Sequence, residues 1–182
     1  MRRRAKPNLQ VPGGEVHVWR GEGAAAKGAL REVLSLYLDE DPTEIELQTG
    51  EHGKPFLADP SHPLRFNLSH SGDLALVAVT HGLEIGVDVQ LVGSRHEPSF
   101  YADWARREAV VKCAGTSLLA PLPPGPIAVE SIDVGPGYAA ALAVAGDEVP
   151  SMRLFTPTER QSSAKDGAHA EASDGPGCAD AM

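Results

Sequence analysis

Residues 64–90, LRFNLSHSGDLALVAVTHGLEIGVDVQ, decide the fold. LRFNL, LALVAVT and IGVDV are three β-rich runs separated by SHSGD and HGLE, and they read as antiparallel hairpins. Upstream, EVHVW (15–19) alternates in polarity as a strand should. Residues 24–38, AAAKGALREVLSLYL, predict a helix whose apolar face is Leu30, Val33, Leu34, Tyr37 and Leu38, ended by Asp39, Glu40, Asp41 and Pro42. EIELQ (44–48) suits a strand, and TGEHGKP is a turn-rich connection. Downstream, 98–114 predicts a second helix, with Pro98 in its first turn and Gly115 at its end. IAVESIDV and YAAALAV are two further strands joined by GPG. Strand, helix, strands thus occurs twice, an α+β pattern. The expected organisation is a tail at 1–14, a first half at 15–82, a second half at 83–155, and a disordered Ser/Ala/Gly/Asp-rich tail at 156–182.

The bulk properties narrow the function. The 182 residues are 42% hydrophobic and 23% charged, the composition of a globular chain. A net charge of −9 argues against general nucleic-acid binding, although a few lysines can still hold a phosphate in an acidic protein. No apolar run is long enough to span a bilayer, so no membrane partner is expected. MRRRAKPNLQVPGG is basic but lacks the apolar core of a secretory signal, which makes the cytoplasm the expected location. Cys113 and Cys178 lie far apart and read as free thiols.

Four fragments could carry chemistry. Trp104, Glu108 and Lys112 recur every four residues and drift only about 40° per step, so they share one helical stripe. The plain explanation is a surface Glu–Lys pair. If Trp104 is partly covered, the two charges need a stronger partner, such as a metal or a phosphate. In GVDVQ, Asp88 and Gln90 point to one side of a strand, either as an edge facing water or as oxygen donors for a hard cation. FNLSHSG ends a strand in Ser69, His70, Ser71 and Gly72, a hairpin turn or an anion-binding one. A Ser–His nucleophile pair is disfavoured, because adjacent side chains on an extended chain diverge. In GKP, Lys54 sits on backbone fixed by Pro55, with Gly53 permitting close approach; a solvated turn lysine is the alternative.

GKP, FNLSHSG, GVDV and WARREAVVK occur in one order, and in that order the chain resembles the Sfp-type 4′-phosphopantetheinyl transferases over about residues 44–119. EVHVW, GALREVLSLYL and VGPGYAAALAV extend the likeness. The resemblance implies a duplicated, pseudo-twofold α+β fold with a coenzyme A cleft between two similar halves. It implies transfer of phosphopantetheine from coenzyme A to a serine of an acyl or peptidyl carrier protein, with Mg²⁺, releasing 3′,5′-ADP. Carried over by residue, Lys54 and Pro55 would lie against the nucleotide, and Ser69 and His70 on the phosphates. Asp88 and Glu108 would hold Mg²⁺, with Gln90 a further ligand. Glu108 is the candidate base. Lys112 would neutralise phosphate charge or assist proton transfer, and Arg107 stands where the family has Lys or Arg. A monomer is expected.

Three departures accompany the resemblance. Gln90 replaces a glutamate common in the family. Gly21-Glu22-Gly23 runs straight from the first strand into the helix, where the family has a longer basic segment; Lys27 or Arg31 is a substitute cation. The connections at Gly93–Ser99 and Ala120–Ile127 are short. The alternative function is accordingly a weakly active or non-catalytic binder of coenzyme A or its carrier.

Overall fold

The computed structural model describes residues 9–22 and 28–156. The elements in chain order are β1 (Glu15–Glu22), α1 (Ala29–Leu34), β2 (Leu47–Thr49), β3 (Pro55–Leu57), β4 (Leu64–Ser71), β5 (Leu74–His81), β6 (Ile85–Leu91), α2 (Pro98–Ala114), β7 (Ile127–Ile132), β8 (Tyr138–Ala145) and β9 (Ser151–Phe155). They form an α+β fold with two main sheets, ordered β4-β5-β1-β9 and β6-β8-β7, and a small β2-β3 hairpin. All pairings within the named strands are antiparallel except β1 with β9. β1, which precedes α1, lies beside β5, and β6, which precedes α2, lies beside β8, so the strand orders β4-β5-β1 and β7-β8-β6 correspond.

The two sheets share a core. Val16, Val18, Leu74 and Leu76 of the first meet Ile85, Val87, Val89, Leu142 and Val144 of the second, all nearly inaccessible. Burying each such side chain contributes about 1.5–3 kcal/mol before chain entropy is counted. The other face of the first sheet, with Trp19, Phe66, Val77 and Val79, packs on Val33, Leu34 and Tyr37. The other face of the second is small: Ala141 and Ala143 lie against Ala105, Ala109 and Cys113 of α2. A Cβ on Gly86 of β6 would fall 2.1 Å from the Ala109 carbonyl oxygen, so this glycine is what lets the helix lie on the strand.

Several expectations need correction. β6 does not extend the β4–β5 hairpin; it leaves for the second sheet and pairs with β8. Ser69, His70 and Ser71 are not turn residues. β4 continues through Ser71, and only Gly72 and Asp73 lie between it and β5. β9, which the periodicity of the sequence does not reveal, returns from the second half to the first sheet. Residues 9–14 are more than a tail: the Leu9 N–H donates to the Leu36 carbonyl and Val11 is buried.

Helix α1 covers only Ala29–Leu34 of the expected stretch, and residues 23–27 lie outside the described part. It stops early because Ser35 Oγ donates to the Glu32 carbonyl and tighter i→i+3 bonds follow at Leu36 and Tyr37. Its apolar face is nevertheless the expected one. β2 begins two residues beyond Ile45, which is itself buried. The expected tail from 157 onward, with Cys178, also lies outside the described residues; Cys113 is free and buried.

Candidate active site

The junction of the two sheets carries the densest polar cluster, centred on Asp88. Strand alternation puts Val87 and Val89 into the shared core and turns Asp88 toward α2. There the residue as a whole is only 3% exposed, so its carboxylate needs strong partners. It has three. Oδ1 accepts from Lys112 Nζ at 2.6 Å and from Ser69 Oγ at 2.8 Å; Oδ2 accepts from Gln90 Nε2 at 2.7 Å. Lys112 also donates to Ser69 Oγ (3.0 Å) and to the Val87 carbonyl (3.4 Å). One residue from β4, two from β6 and one from α2 thus meet at a single carboxylate.

Lys112 therefore pairs with Asp88 and not with Glu108, which removes the plain surface-pair explanation of the stripe. Glu108, half-buried one turn earlier on α2, forms no ion pair among the described residues. Trp104, a further turn away, is 37% exposed and partly covered, its ring stacked at 6.3 Å from Phe100. Arg107 is exposed.

The remaining expected residues lie elsewhere. Ser69 shares the inward face of the first sheet with its cross-strand partner Leu76, whereas His70 is exposed and points to the other face. No Ser69–His70 contact exists, as expected from an extended chain. Lys54 is held at the opposite end of β6: Nζ donates to Glu84 Oε2 at 2.8 Å and to the Cys113 carbonyl in the last turn of α2 at 3.3 Å. Arg65 binds the other Glu84 oxygen at 3.1 Å. Pro55 starts β3 opposite Thr49. Arg31 donates to the carbonyls of Pro42 and Ile45 and so holds the loop after α1; Lys27 lies outside the described residues.

At the Ser71 end of the junction an open cleft of about 550 Å³ is lined by Arg20, Glu22, Asp73, Leu74 and Tyr138, drawn from both sheets. Arg20 pairs with Glu22 at 2.7 Å and donates to the Val134 carbonyl. Sequence reasoning placed Ser71 in a turn and passed over Asn67. Their oxygens accept the N–H groups of Val87 and Leu91, each at 2.9 Å. The signal was present: Asn67, Ser69 and Ser71 form a period-two polar row opposite the apolar Ala78, Leu76 and Leu74.

No group of three or more His, Cys, Asp or Glu side chains able to hold a metal occurs among the described residues. The donors that are present, Asp88, Glu108 and the Gln90 amide oxygen, are hard oxygen ligands. They suit an ion such as Mg²⁺, which usually takes one or two carboxylates and completes its shell with water and substrate phosphate. With its amide nitrogen on Asp88, Gln90 has its carbonyl oxygen left for another partner.

Comparison with known proteins gives this geometry a family. A family profile described as 4′-phosphopantetheinyl transferase, N-terminal, matches residues 24–82. The 4′-phosphopantetheinyl transferase AcpT of Escherichia coli is 30% identical over 142 residues, 62% of this chain and 67% of the relative. HetI, a 4′-phosphopantetheinyl transferase of Nostoc sp., is 41% identical over 68 residues, 36% of this chain and 29% of the relative. A phosphopantetheinyl transferase from Thraustochytrium sp. is 27% identical over 137 residues, and the chain spans 48% of its length. The chain thus covers about half or less of some relatives and two thirds of AcpT, and by that last likeness it belongs to the 4′-phosphopantetheinyl transferase family.

Proposed function

We propose that this chain, as an Sfp-type member, transfers 4′-phosphopantetheine from coenzyme A to a serine of an acyl or peptidyl carrier protein and releases 3′,5′-ADP. The observation that carries this reading is the Ser69–Asp88–Gln90–Lys112 cluster at the junction of two sheets of like connectivity, one helical turn from Glu108. The cleft that opens beside that junction supplies room for a coenzyme. Asp88 and Glu108 would hold Mg²⁺, with Gln90 contributing an amide oxygen, and the ion would supply charge neutralisation on the pyrophosphate.

The carrier serine oxygen forms a bond to the phosphorus that bears pantetheine. The bond from that phosphorus to the bridging oxygen breaks, and its electron pair leaves with 3′,5′-ADP. Glu108, through a water, takes the serine proton. Lys112, already beside the junction, offsets negative charge on the phosphates; Ser69 keeps Lys112 and Asp88 in place. His70 would hydrogen-bond a phosphate, and Lys54, on backbone fixed by Pro55, would exchange its Glu84 partner for the nucleotide. The reading places the chain in the cytoplasm as a monomer. Separately, no helix among its described residues is long and apolar enough to cross a membrane.

The test is the mass of an apo carrier protein after incubation with the chain, coenzyme A and Mg²⁺. Addition of phosphopantetheine is expected, and its loss in Asp88→Ala and Glu108→Ala with the fold retained. Near wild-type transfer in either variant removes the metal assignment. The short connections at Gly93–Ser99 and Ala120–Ile127 favour a second reading, a coenzyme A or carrier binder without turnover. Coenzyme A binding without any transfer by the wild type selects it. His70→Ala weakens coenzyme A binding in either case, and covalent labelling of Ser69 by a fluorophosphonate counts against both.

A further inference from the structure

β4 and β6 are the facing edges of the two sheets. An edge strand presents backbone N–H groups that need acceptors, above all where they are buried. Three of those on β6 find theirs in side chains. Val87 N–H donates to Asn67 Oδ1 at 2.9 Å, Val89 N–H to Ser69 Oγ at 3.2 Å, and Leu91 N–H to Ser71 Oγ at 2.9 Å. Each partner lies 20 residues away, so the offset is constant along both strands. Two sheets are zipped edge to edge through side-chain oxygens on one and backbone on the other.

We propose that Asn67 and Ser71 are positioning residues that fix how the two sheets meet at Asp88. The ladder with β8 sets β6 only within its own sheet. Lys112 arrives with the second sheet and Ser69 with the first, and they meet on Asp88 Oδ1 at this one offset. The outer teeth of the zipper, one on either side of Ser69, hold that offset. The inference builds on the proposed role of Asp88 but can be tested without it.

The activity-free test is a double-mutant cycle in urea unfolding between Ser71→Ala and Lys112→Met. Because Ser71 does not touch Lys112, simple edge closure predicts additive effects, whereas positioning predicts coupling. The loss caused by Lys112→Met should shrink at least about threefold, in unfolding equilibrium constant, once Ser71 is truncated. Ser71→Thr, which keeps the hydroxyl, should show no such coupling. The same cycle with Asn67→Leu repeats the test from the other tooth. In the transfer assay, Ser71→Ala should lower kcat with little change in KM for coenzyme A, and Ser71→Thr should restore it. Strict additivity overturns the proposal, as does an unchanged kcat in an active protein. A wild type with no transfer at all removes the transferase reading, and the cycle still decides the zipper.

Discussion

Asp88 is a carboxylate 4% exposed in its side chain whose cation partner Lys112 is 28% exposed. Losing one member of a buried pair strands the other, which is worth more than the net value of the pair itself. Lys112→Met should therefore destabilise the fold by about 2–3 kcal/mol, short of the figure for a fully buried pair because the ammonium is partly wet. Adding Asp88→Asn should recover most of that loss in urea unfolding; equal stability of the single and double variants would mean that Asp88 tolerates solitude. Gln90 tells a complementary story. Its amide donates to Asp88 Oδ2, so Gln90→Glu would set two carboxylates side by side and cost roughly 1–2 kcal/mol without metal. Mg²⁺ should reverse this. The variant should melt below wild type in chelator and gain more than wild type from added Mg²⁺, with a lower half-saturating concentration. Equal gains in both forms would put position 90 outside the metal's reach.

At the scale of elements, α2 is held against β6 and β8 by the absence of side chains. Gly86 admits the helix backbone, since a Cβ there would lie 2.1 Å from the Ala109 oxygen and 2.3 Å from the Cys113 nitrogen. Gly86→Ala should cost about 3 kcal/mol or more and displace Glu108 and Lys112 together. Ala109→Gly should not rescue it, because the clashing atoms are backbone; rescue in thermal melts would show the contact to be softer than this. α2 was also the element most legible in the sequence. Pro98 and Gly115 bound it at the residues observed, and Gly115 caps it in the left-handed conformation at φ 64°. The Asp88–Lys112 meeting was legible only as two fragments, since periodicity gives a face but not the element across from it. β9 was invisible for a related reason. Five residues, SMRLF, pair in parallel with a strand more than a hundred residues earlier, and nothing local marks such a partner. The polar row on β4 was visible but read as a turn, because Ser, His and Gly are turn-rich in composition whatever strand they end.

At the scale of the whole molecule, β9 ties the end of the second half back onto the first sheet. Phe155 stacks on Trp19 with centroids 4.5 Å apart, meets the edge of His17 at 4.9 Å, and lies under the Arg153 guanidinium at 5.2 Å. Beneath this latch runs a buried polar chain. Trp19 Nε1 donates to the Tyr37 hydroxyl at 2.7 Å, which leaves that hydroxyl's own proton for His17 Nδ1 at 2.8 Å. The His17 proton then sits on Nε2, facing Glu15 Oε2 at 3.3 Å. Burial pushes the Tyr37 phenol well above its usual range, so it keeps its proton throughout. Burial also pulls the His17 imidazole below its usual value, against the raising effect of Glu15 and alongside the lowering effect of Arg153. In the unfolded chain His17 titrates near about 6.5. Below that pH the unfolded state takes up a proton that the folded state resists. The stability contributed by neutral His17 is thus fully present above about pH 6.5 and is lost as pH falls toward the lowered folded value. Wild type should lose stability relative to His17→Gln, which cannot titrate, as the pH falls below about 6.5. Hydrogen exchange should quicken first at the amides of residues 152–155, where the latch rests on the ring. Parallel stability curves for the two forms, or exchange that quickens evenly over the first sheet, would show that His17 does not hold the latch.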